Sequence, residues 1–261
     1  MLRLVRFLFA LWKTNLLAAM EYRAAFITQV VGMLLNDAVY FIFWVIFFGE
    51  FKQIRGWGLQ EMFLLFGIVC AGFGLASFLF GNIISLDHVI AEGRLDYYLS
   101  LPKPVLLHVL ASRNIMSGIG DFSYGVLSFL VTRQFTLDMV ARFVAGTLLS
   151  MIVIVSYMVL IQSLAFWLGH AQLLSEQASN AIVTFAIYPI NLFDNTGKFL
   201  LFTVVPAAFV GAVPAQLVTN FSWGVFGELF GAAIGLLALA VFVFYRGLRR
   251  YESGSAIQIQ V

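Results

Sequence analysis

Long apolar runs separated by short polar segments make up most of the chain. Six of the runs are predicted to be membrane-spanning helices, because about 20 apolar residues cross the ~30 Å hydrocarbon core of a bilayer. They cover about 24–48, 61–84, 105–131, 140–168, 175–189 and 225–245. Residues 191–220 are also apolar but are interrupted by Pro206, Gly211 and Pro214. This interruption predicts a pair of short helices that enter the membrane from the outer face and return.

The first 23 residues follow a different pattern. Apolar residues recur on one helical stripe, and Arg3, Arg6 and Lys13 lie off that stripe. The pattern predicts an amphipathic helix in the membrane interface. With this terminus in the cytoplasm and six crossings, ten of the 15 Lys and Arg residues fall on the cytoplasmic side. The positive-inside rule therefore predicts that both termini are cytoplasmic.

Composition supports a membrane location. Hydrophobic residues make up 62% of the chain and charged residues 11%, whereas about a quarter of a soluble domain is charged. We predict an all-α integral membrane protein with a single transmembrane domain over 1–261. The lone Cys70 lies in an apolar run, which excludes a disulfide framework and a thiolate metal cluster.

One charged segment lies between the second and third predicted spans. Residues 85–104 contain five charged residues, and their apolar residues fall at helical spacings. This pattern predicts a separate helix, which Pro102 and Pro104 then end. A short, charged helix between two spans is typical of a surface that docks another protein.

Polar residues inside spans are costly and often functional. Asn36 and Asp37 are adjacent in the first span, and Asn114 and Asp121 lie in the third. Two hypotheses stay open: these residues line a translocation path or a subunit seam, or they form interhelical hydrogen bonds. The aromatic-rich first span, which includes Trp44, suits either a hydrophobic cargo or packing against lipid.

A small-residue face is predicted on the last span. Gly227, Gly231 and Gly235 repeat every four residues, a spacing that lets another helix approach closely. We predict a packing face, either within the subunit or between subunits.

Sequence motifs of catalysis are missing. Gly197 and Lys198 are adjacent, but Leu192 occupies the position where a phosphate-binding loop has its first glycine. The histidines are scattered, which gives no support for a metal site. The chain is therefore predicted not to be an enzyme, and a partner must supply any ATP hydrolysis.

The order of these elements resembles the membrane subunits of type-2 ABC exporters, in particular the compact six-span permeases. The likeness runs over nearly the whole chain. Its closest local match is Glu92–Pro104, EGRLDYYLSLPKP, which is similar to the family's Gly-x-Leu-Asp-x-x-Leu-x-x-Pro segment. Residues Tyr188–Ala215 resemble the family's proline-rich external region.

The resemblance implies two functional regions. A coupling helix within Ser85–Leu101 would seat in a cytoplasmic ABC ATPase, through Asp87, Glu92, Gly93, Arg94, Leu95, Asp96, Tyr97 and Tyr98. The re-entrant pair would form an outer gate, with Phe199, Pro206, Phe209 and Pro214. ATP and Mg would bind in the ATPase, and no cofactor is expected in this chain.

The resemblance also implies the partners and the location. A second permease subunit, either the same chain or a sibling, would complete the substrate path, with membrane lipid around it and no nucleic acid. The expected location is the bacterial cytoplasmic (inner) membrane, and the expected activity is efflux of a drug, lipid or natural product. An autonomous secondary transporter or channel remains the alternative, although it predicts more buried carboxylates than Asp37 and Asp121.

Overall fold

The computed structural model describes residues 2–132, 136–169 and 171–252. Within these ranges the regular structure is helical, and no β-strand is formed. The α-helices are α1 Leu2–Glu21, α2 Arg23–Glu50, α3 Leu59–Leu79, α4 Leu86–Ala91, α5 Leu95–Leu99, α6 Val105–Ala111, α7 Ser117–Val131, α8 Leu137–Gln162, α9 Ala165–Leu168, α10 Gln172–Ala186, α11 Asn195–Thr203, α12 Ala212–Thr219 and α13 Trp223–Leu248. Short 3-10 helices cover Gly81–Ile84, Ile190–Leu192 and Ala207–Phe209. The predicted all-α class is confirmed.

Four helical segments in the described ranges are long and apolar enough to cross a membrane, namely α2, α3, α8 with α9, and α13. A fifth candidate is the bent pair that contains α11 and α12. The predicted third span is not one helix, because residues 112–116 separate α6 from α7. The predicted fifth span is the 15-residue α10, which is shorter than a typical ~20-residue crossing. The chain is a multi-pass membrane protein, and the count of six crossings stays a prediction.

The segment predicted to be re-entrant consists of short helices with a sharp bend. α11 and the stretch Ala207–Thr219 meet at 72°, next to Pro206, which has no backbone N–H to continue a helix. Ser150 of α8 donates a hydrogen bond to the Val210 carbonyl at 2.8 Å, so the irregular backbone after the bend is satisfied within the protein. Both a broken span and a re-entrant loop have this geometry.

α3 is the central helix of the bundle, with most of its length buried. It packs closely against α7 through reciprocal pairs of glycines. A Cβ atom on Gly125 would lie 2.4 Å from the Gly67 carbonyl oxygen, and one on Gly74 would lie 2.5 Å from the Gly118 carbonyl oxygen. Only residues without a side chain allow this approach of two backbones.

α1 is a separate helix that ends before Tyr22, and α2 begins at Arg23. The Leu2, Val5 and Phe9 side chains of α1 are exposed, as an amphipathic interfacial helix requires. Its other face contacts the bundle, where the Trp12 indole donates a hydrogen bond to the Leu79 carbonyl at 2.8 Å. The N-terminal helix is therefore fixed to the end of α3.

Candidate functional site

The charged segment between α3 and α6 forms two short helices, so the predicted single helix is wrong. α4 ends at Ala91 and α5 begins at Leu95. Between them Gly93 has φ +73°, a left-handed conformation that glycine adopts without strain. The Gly93 N–H bonds the Ile90 carbonyl at 3.3 Å and the Arg94 N–H bonds the Val89 carbonyl at 3.0 Å. This bond pair is a Schellman motif, which ends α4 and turns the chain. We call residues 86–99 the coupling hairpin, after the role that the resemblance implies for this segment.

A buried glutamine of α8 holds the start of this hairpin. The Gln162 side-chain oxygen accepts hydrogen bonds from the backbone N–H groups of Leu86 at 2.6 Å and Asp87 at 3.2 Å. Its amide nitrogen donates to the Ile83 carbonyl. The first N–H groups of a helix have no partner inside it, and Gln162 satisfies two of them for α4. Gln162 therefore joins the end of α8 to the start of the hairpin.

The end of the hairpin is held by the α6–α7 connection. The Tyr98 hydroxyl lies 2.9 Å from the Ser112 hydroxyl. Asn82, in the turn before α4, donates to the Ser112 hydroxyl and to the Val109 carbonyl, both at 2.7 Å. Leu95 is fully buried below this network. The hairpin is thus attached to the bundle at both ends.

The residues predicted to contact an ATPase divide into exposed and buried groups. Glu92, Arg94 and Tyr97 are exposed, and the Arg94 guanidinium lies 2.7 Å from a Glu92 carboxylate oxygen. Asp87 and Leu95 are buried at 4% and 0% exposure. These two were predicted as contact residues, but neither lies on the hairpin surface. Gly93, Asp96 and Tyr98 are partly exposed.

The N-terminal helix and the break between α6 and α7 share a hydrogen-bond network. The Asn15 side chain donates to the Ser112 carbonyl at 3.1 Å and to the Asn114 side-chain oxygen at 2.6 Å. Asn114 in turn donates to the Phe78 carbonyl. Asn114 was a candidate for the translocation path, yet its amide is occupied in joining α1, α3 and α7.

The C-terminal end of α13 reaches the same hairpin. Tyr251, just after α13, lies near Asp96 of α5, and its ring lies 6.3 Å from that of Phe166. Burial raises the pKa of the Tyr251 phenol to about 12, and the nearby Asp96 carboxylate acts in the same direction. Helices α6 and α8 and the residues just after α13 therefore all reach the hairpin or its flanking turns.

Asp37 and Asp121 come together inside the subunit. Their side chains interact across the contact between α2 and α7, and Cys70 of α3 also reaches Asp37. Both carboxyl groups are 4% exposed. The Asp37 Oδ2 atom has no hydrogen-bond partner among the described residues. This placement favours the hypothesis of an interhelical contact, while Asn36, which also contacts Asp37, is exposed.

Trp44 lies in an aromatic cluster. Its ring is 5.8 Å from both Phe47 and Phe48, and it is buried with Met62 and Phe63. Trp44 is therefore packed inside the protein, so packing against lipid does not hold at this residue, and contact with a cargo stays a prediction. The lipid-facing part of α2 is carried by exposed neighbours of Trp44 instead.

The predicted gate residues occupy different environments. Pro206, Phe209 and Pro214 are buried, and Phe209 makes an edge contact with Phe202 at 5.2 Å. Phe199 is 65% exposed. The bent pair therefore has a buried inner part and an exposed first helix, α11.

The glycine face of α13 is open. A Cβ atom on Gly227, Gly231 or Gly235 would meet nothing within 4 Å. The prediction that this face packs within the subunit is wrong for the described residues. The other alternative, a contact between subunits, stays a prediction.

Sequence reasoning missed a cavity of about 450 Å³ beside the hairpin. Asp87 and His88 of α4 and a set of polar residues from α10 line it. The polar residues of α10 recur every three or four positions from Gln172 to Thr184, and this period was the available signal. Among the described residues, no group of three His, Cys, Asp or Glu side chains could hold a metal ion.

These features define an all-helical, multi-pass membrane protein in which a short charged hairpin is joined to several spans. Residues 34–255 match the family model described as "ABC-2 family transporter protein". The match covers most of the chain, so the chain belongs to the ABC-2 transporter family, as the resemblance implied. It is a transport component of the permease type and not a catalytic one. No curated protein and no solved structure matches the chain.

Proposed function

We propose that the chain is the permease subunit of an ATP-driven exporter, coupled to a separate cytoplasmic ABC ATPase that binds ATP and Mg. The coupling hairpin is the observation that carries the proposal. It presents Glu92, Arg94 and Tyr97 on its surface, while its base is bonded to α8 through Gln162. A partner that presses on this surface moves α8 directly.

The proposed arrangement in the membrane has six crossings, both termini in the cytoplasm and the bacterial inner membrane as location. In this arrangement the short α10 and the broken α6–α7 pair each count as one crossing. The bent pair around Pro206 then lies at the outer face, where it acts as the gate. The charge distribution of Lys and Arg supports this orientation.

A second permease subunit, the same chain or a sibling, completes the substrate path in this proposal. The open face formed by Gly227, Gly231 and Gly235 supports a contact between subunits, because small residues at this spacing allow two helices to approach closely. Replacing Gly231 with Leu fills that face. We expect the Leu variant to lose the second permease in mild detergent and to keep its own fold.

The buried Asp37–Asp121 pair is the one observation that favours an autonomous secondary transporter or channel. Ionisable groups inside a membrane often mark ion pathways. The hairpin would have no role in such a protein. A partner test therefore separates the two functions.

The test is an affinity pull-down of the tagged chain from its native membrane in mild detergent, with mass spectrometry of the bound proteins. We expect an ABC ATPase at near-equal stoichiometry. The charge-exchanged variant Glu92→Arg with Arg94→Glu keeps the internal ion pair but reverses the surface that a partner contacts, and it should lose the ATPase. Lys52→Glu is the matched control, because it reverses an exposed charge in the loop between α2 and α3, away from the hairpin. Recovery of a stable chain without an ATPase would move the assignment to a secondary transporter or channel.

A further inference from the structure

The cavity beside the coupling hairpin has the size of a small-molecule site. Its volume of about 450 Å³ lies within the ~300–1,000 Å³ that is usual for such sites. α4, α8 and α10 form its walls, with Phe73 of α3. Phe73, Met158 and Val183 supply apolar surface, and the remaining walls are mostly polar. A ligand that fits must therefore have both an apolar and a polar part.

The polar wall comes from one face of α10. The residues that line the cavity from this helix recur at helical spacing, and the polar ones are Gln172, Ser175, Glu176, Ser179, Asn180 and Thr184. Residues three and four apart share a helix face. Leu173 and Leu174 are exposed outside this face. α10 thus separates an apolar exposed surface from a polar cavity.

The charges around the cavity are acidic. Asp87 and Glu176 line it, and within the described part of the chain no Lys or Arg does. Asp87 is 4% exposed, and its Oδ1 accepts a hydrogen bond from the backbone N–H of the neighbouring His88 at 2.9 Å. His88 also lines the cavity, and its Nδ1 lies 3.8 Å from a carboxylate oxygen of Glu92. Glu176 is exposed at the cavity wall and accepts a hydrogen bond from the Gln172 amide at 2.8 Å. Together with the buried Asp87 it makes the cavity attractive to a cation.

An unsatisfied hydroxyl provides an independent observation. Ser175 lines the cavity and is 3% exposed. Its Oγ atom has no hydrogen-bond partner among the described residues. Buried polar groups in folded proteins nearly always have a partner, and a polar ligand in the cavity can supply one.

We propose that this cavity binds an amphipathic organic cation. Its positive group lies between the carboxylates of Asp87 and Glu176, a polar atom bonds Ser175, and its apolar part lies against Phe73 and Met158. Binding places the ligand directly against α4, so that occupancy is sensed by the coupling hairpin. The role of the ligand as exported cargo rests on the proposed function, whereas the binding itself does not.

The experiment measures saturable binding of radiolabelled propranolol, an aromatic ammonium ion with a hydroxyl group, to the full chain in phosphatidylglycerol nanodiscs, with empty nanodiscs subtracted. We expect saturable binding to the unaltered chain. Glu176→Gln, which changes an exposed residue and leaves the fold intact, and Asp87→Asn should each weaken binding about tenfold, the loss of one close charge interaction. Glu228→Gln removes an exposed carboxylate from α13 and serves as the matched control.

Each outcome bears on the proposal. Binding that is absent, or equally strong in the Glu176→Gln variant, overturns it. Addition of phosphatidylethanolamine should leave binding unchanged; loss of binding would show that a lipid ammonium group occupies the cavity and would overturn the cargo assignment. The binding assay contains no ATPase, so its result does not depend on the result of the pull-down. Failure of this proposal is therefore distinguishable from failure of the proposed function.

Discussion

The Gln162 side-chain oxygen lies 2.6 Å from the backbone nitrogen of Leu86, 76 positions earlier in the chain. This bond joins the last turn of α8 to the first turn of the coupling hairpin. Gln162 is 1% exposed, and a buried polar group that loses its partner is destabilised far more than an exposed one. This buried hydrogen bond therefore links α8 to the proposed ATPase-binding surface.

Replacing Gln162 with Leu should loosen the hairpin. The variant leaves the Leu86 N–H and the Ile83 carbonyl without their partner, at a cost of ~1–3 kcal/mol for each group. We expect faster amide hydrogen exchange over residues 83–99 and ATP hydrolysis that no longer drives transport. Gln177→Leu, an exposed change on α10, is the control. If amide hydrogen exchange over residues 83–99 is unchanged in the Gln162 variant, the bond to Leu86 does not hold the hairpin in place.

Gly93 should tolerate only residues that accept a positive φ. A β-branched side chain is strained in the left-handed region, which costs L-residues roughly 1–2 kcal/mol. We expect Gly93→Val to reduce transport strongly and Gly93→Asn to retain most of it, because Asn visits this region more readily. Gly32→Ala is the control, since a Cβ atom there meets nothing within 4 Å. Equal activity of the Val and Asn variants would show that the turn is not needed.

The contact between α3 and α7 should not accept even one methyl group. In Gly125→Ala the new Cβ would lie 2.4 Å from the Gly67 carbonyl oxygen, and overpacking of this kind typically costs ~1–3 kcal/mol. We expect a lower melting temperature in detergent. Gly32→Ala in α2, where a new Cβ meets nothing within 4 Å, should keep or raise that temperature, because Ala favours a helix by about 1 kcal/mol over Gly. A higher melting temperature for Gly125→Ala than for the control would contradict the close packing of α3 against α7.

The burial of Tyr251, near the Asp96 carboxylate, predicts a pH dependence at high pH. The pKa of the folded-state phenol is raised to about 12 from an ordinary value of 10. The stabilisation of the folded state by the neutral phenol is therefore complete below pH 10 and is lost as pH rises from 10 toward 12. Between pH 10 and 12 the melting temperature of the unaltered chain should fall relative to that of Tyr251→Phe. Below pH 10 the two melting temperatures should change in parallel. Tyr97→Phe, which removes an exposed hydroxyl from α5, is the control.

Long apolar runs were enough to predict α2, α3, α8 and α13, because each run alone satisfies the length that a bilayer demands. Other features depended on distant partners. The sequence shows a glycine at position 93 but not its φ angle, and the division into α4 and α5 follows from that angle. The burial of Asp87 and Leu95 results from packing against segments far along the chain. Polar spacing on α10 was visible, but the cavity exists only after α4 folds against α10.

Asp37 and Asp121 allow a direct test of the two hypotheses for polar residues inside the spans. If the pair is an interhelical contact, the double variant Asp37→Asn with Asp121→Asn keeps donors and acceptors and removes the charges that a membrane disfavours. We expect it to assemble and to transport within about twofold of the unaltered chain, since interhelical hydrogen bonds contribute only ~1 kcal/mol.

Asp37→Leu is the contrasting variant. It leaves the Asp121 carboxyl buried without its partner, and removal of one member of a buried polar pair costs ~1–3 kcal/mol or more. Size-exclusion profiles and transport in liposomes with the ATPase measure both properties. If the double Asn variant assembles and hydrolyses ATP but fails to transport, the carboxyl groups belong to the translocation path, and the interhelical interpretation is wrong.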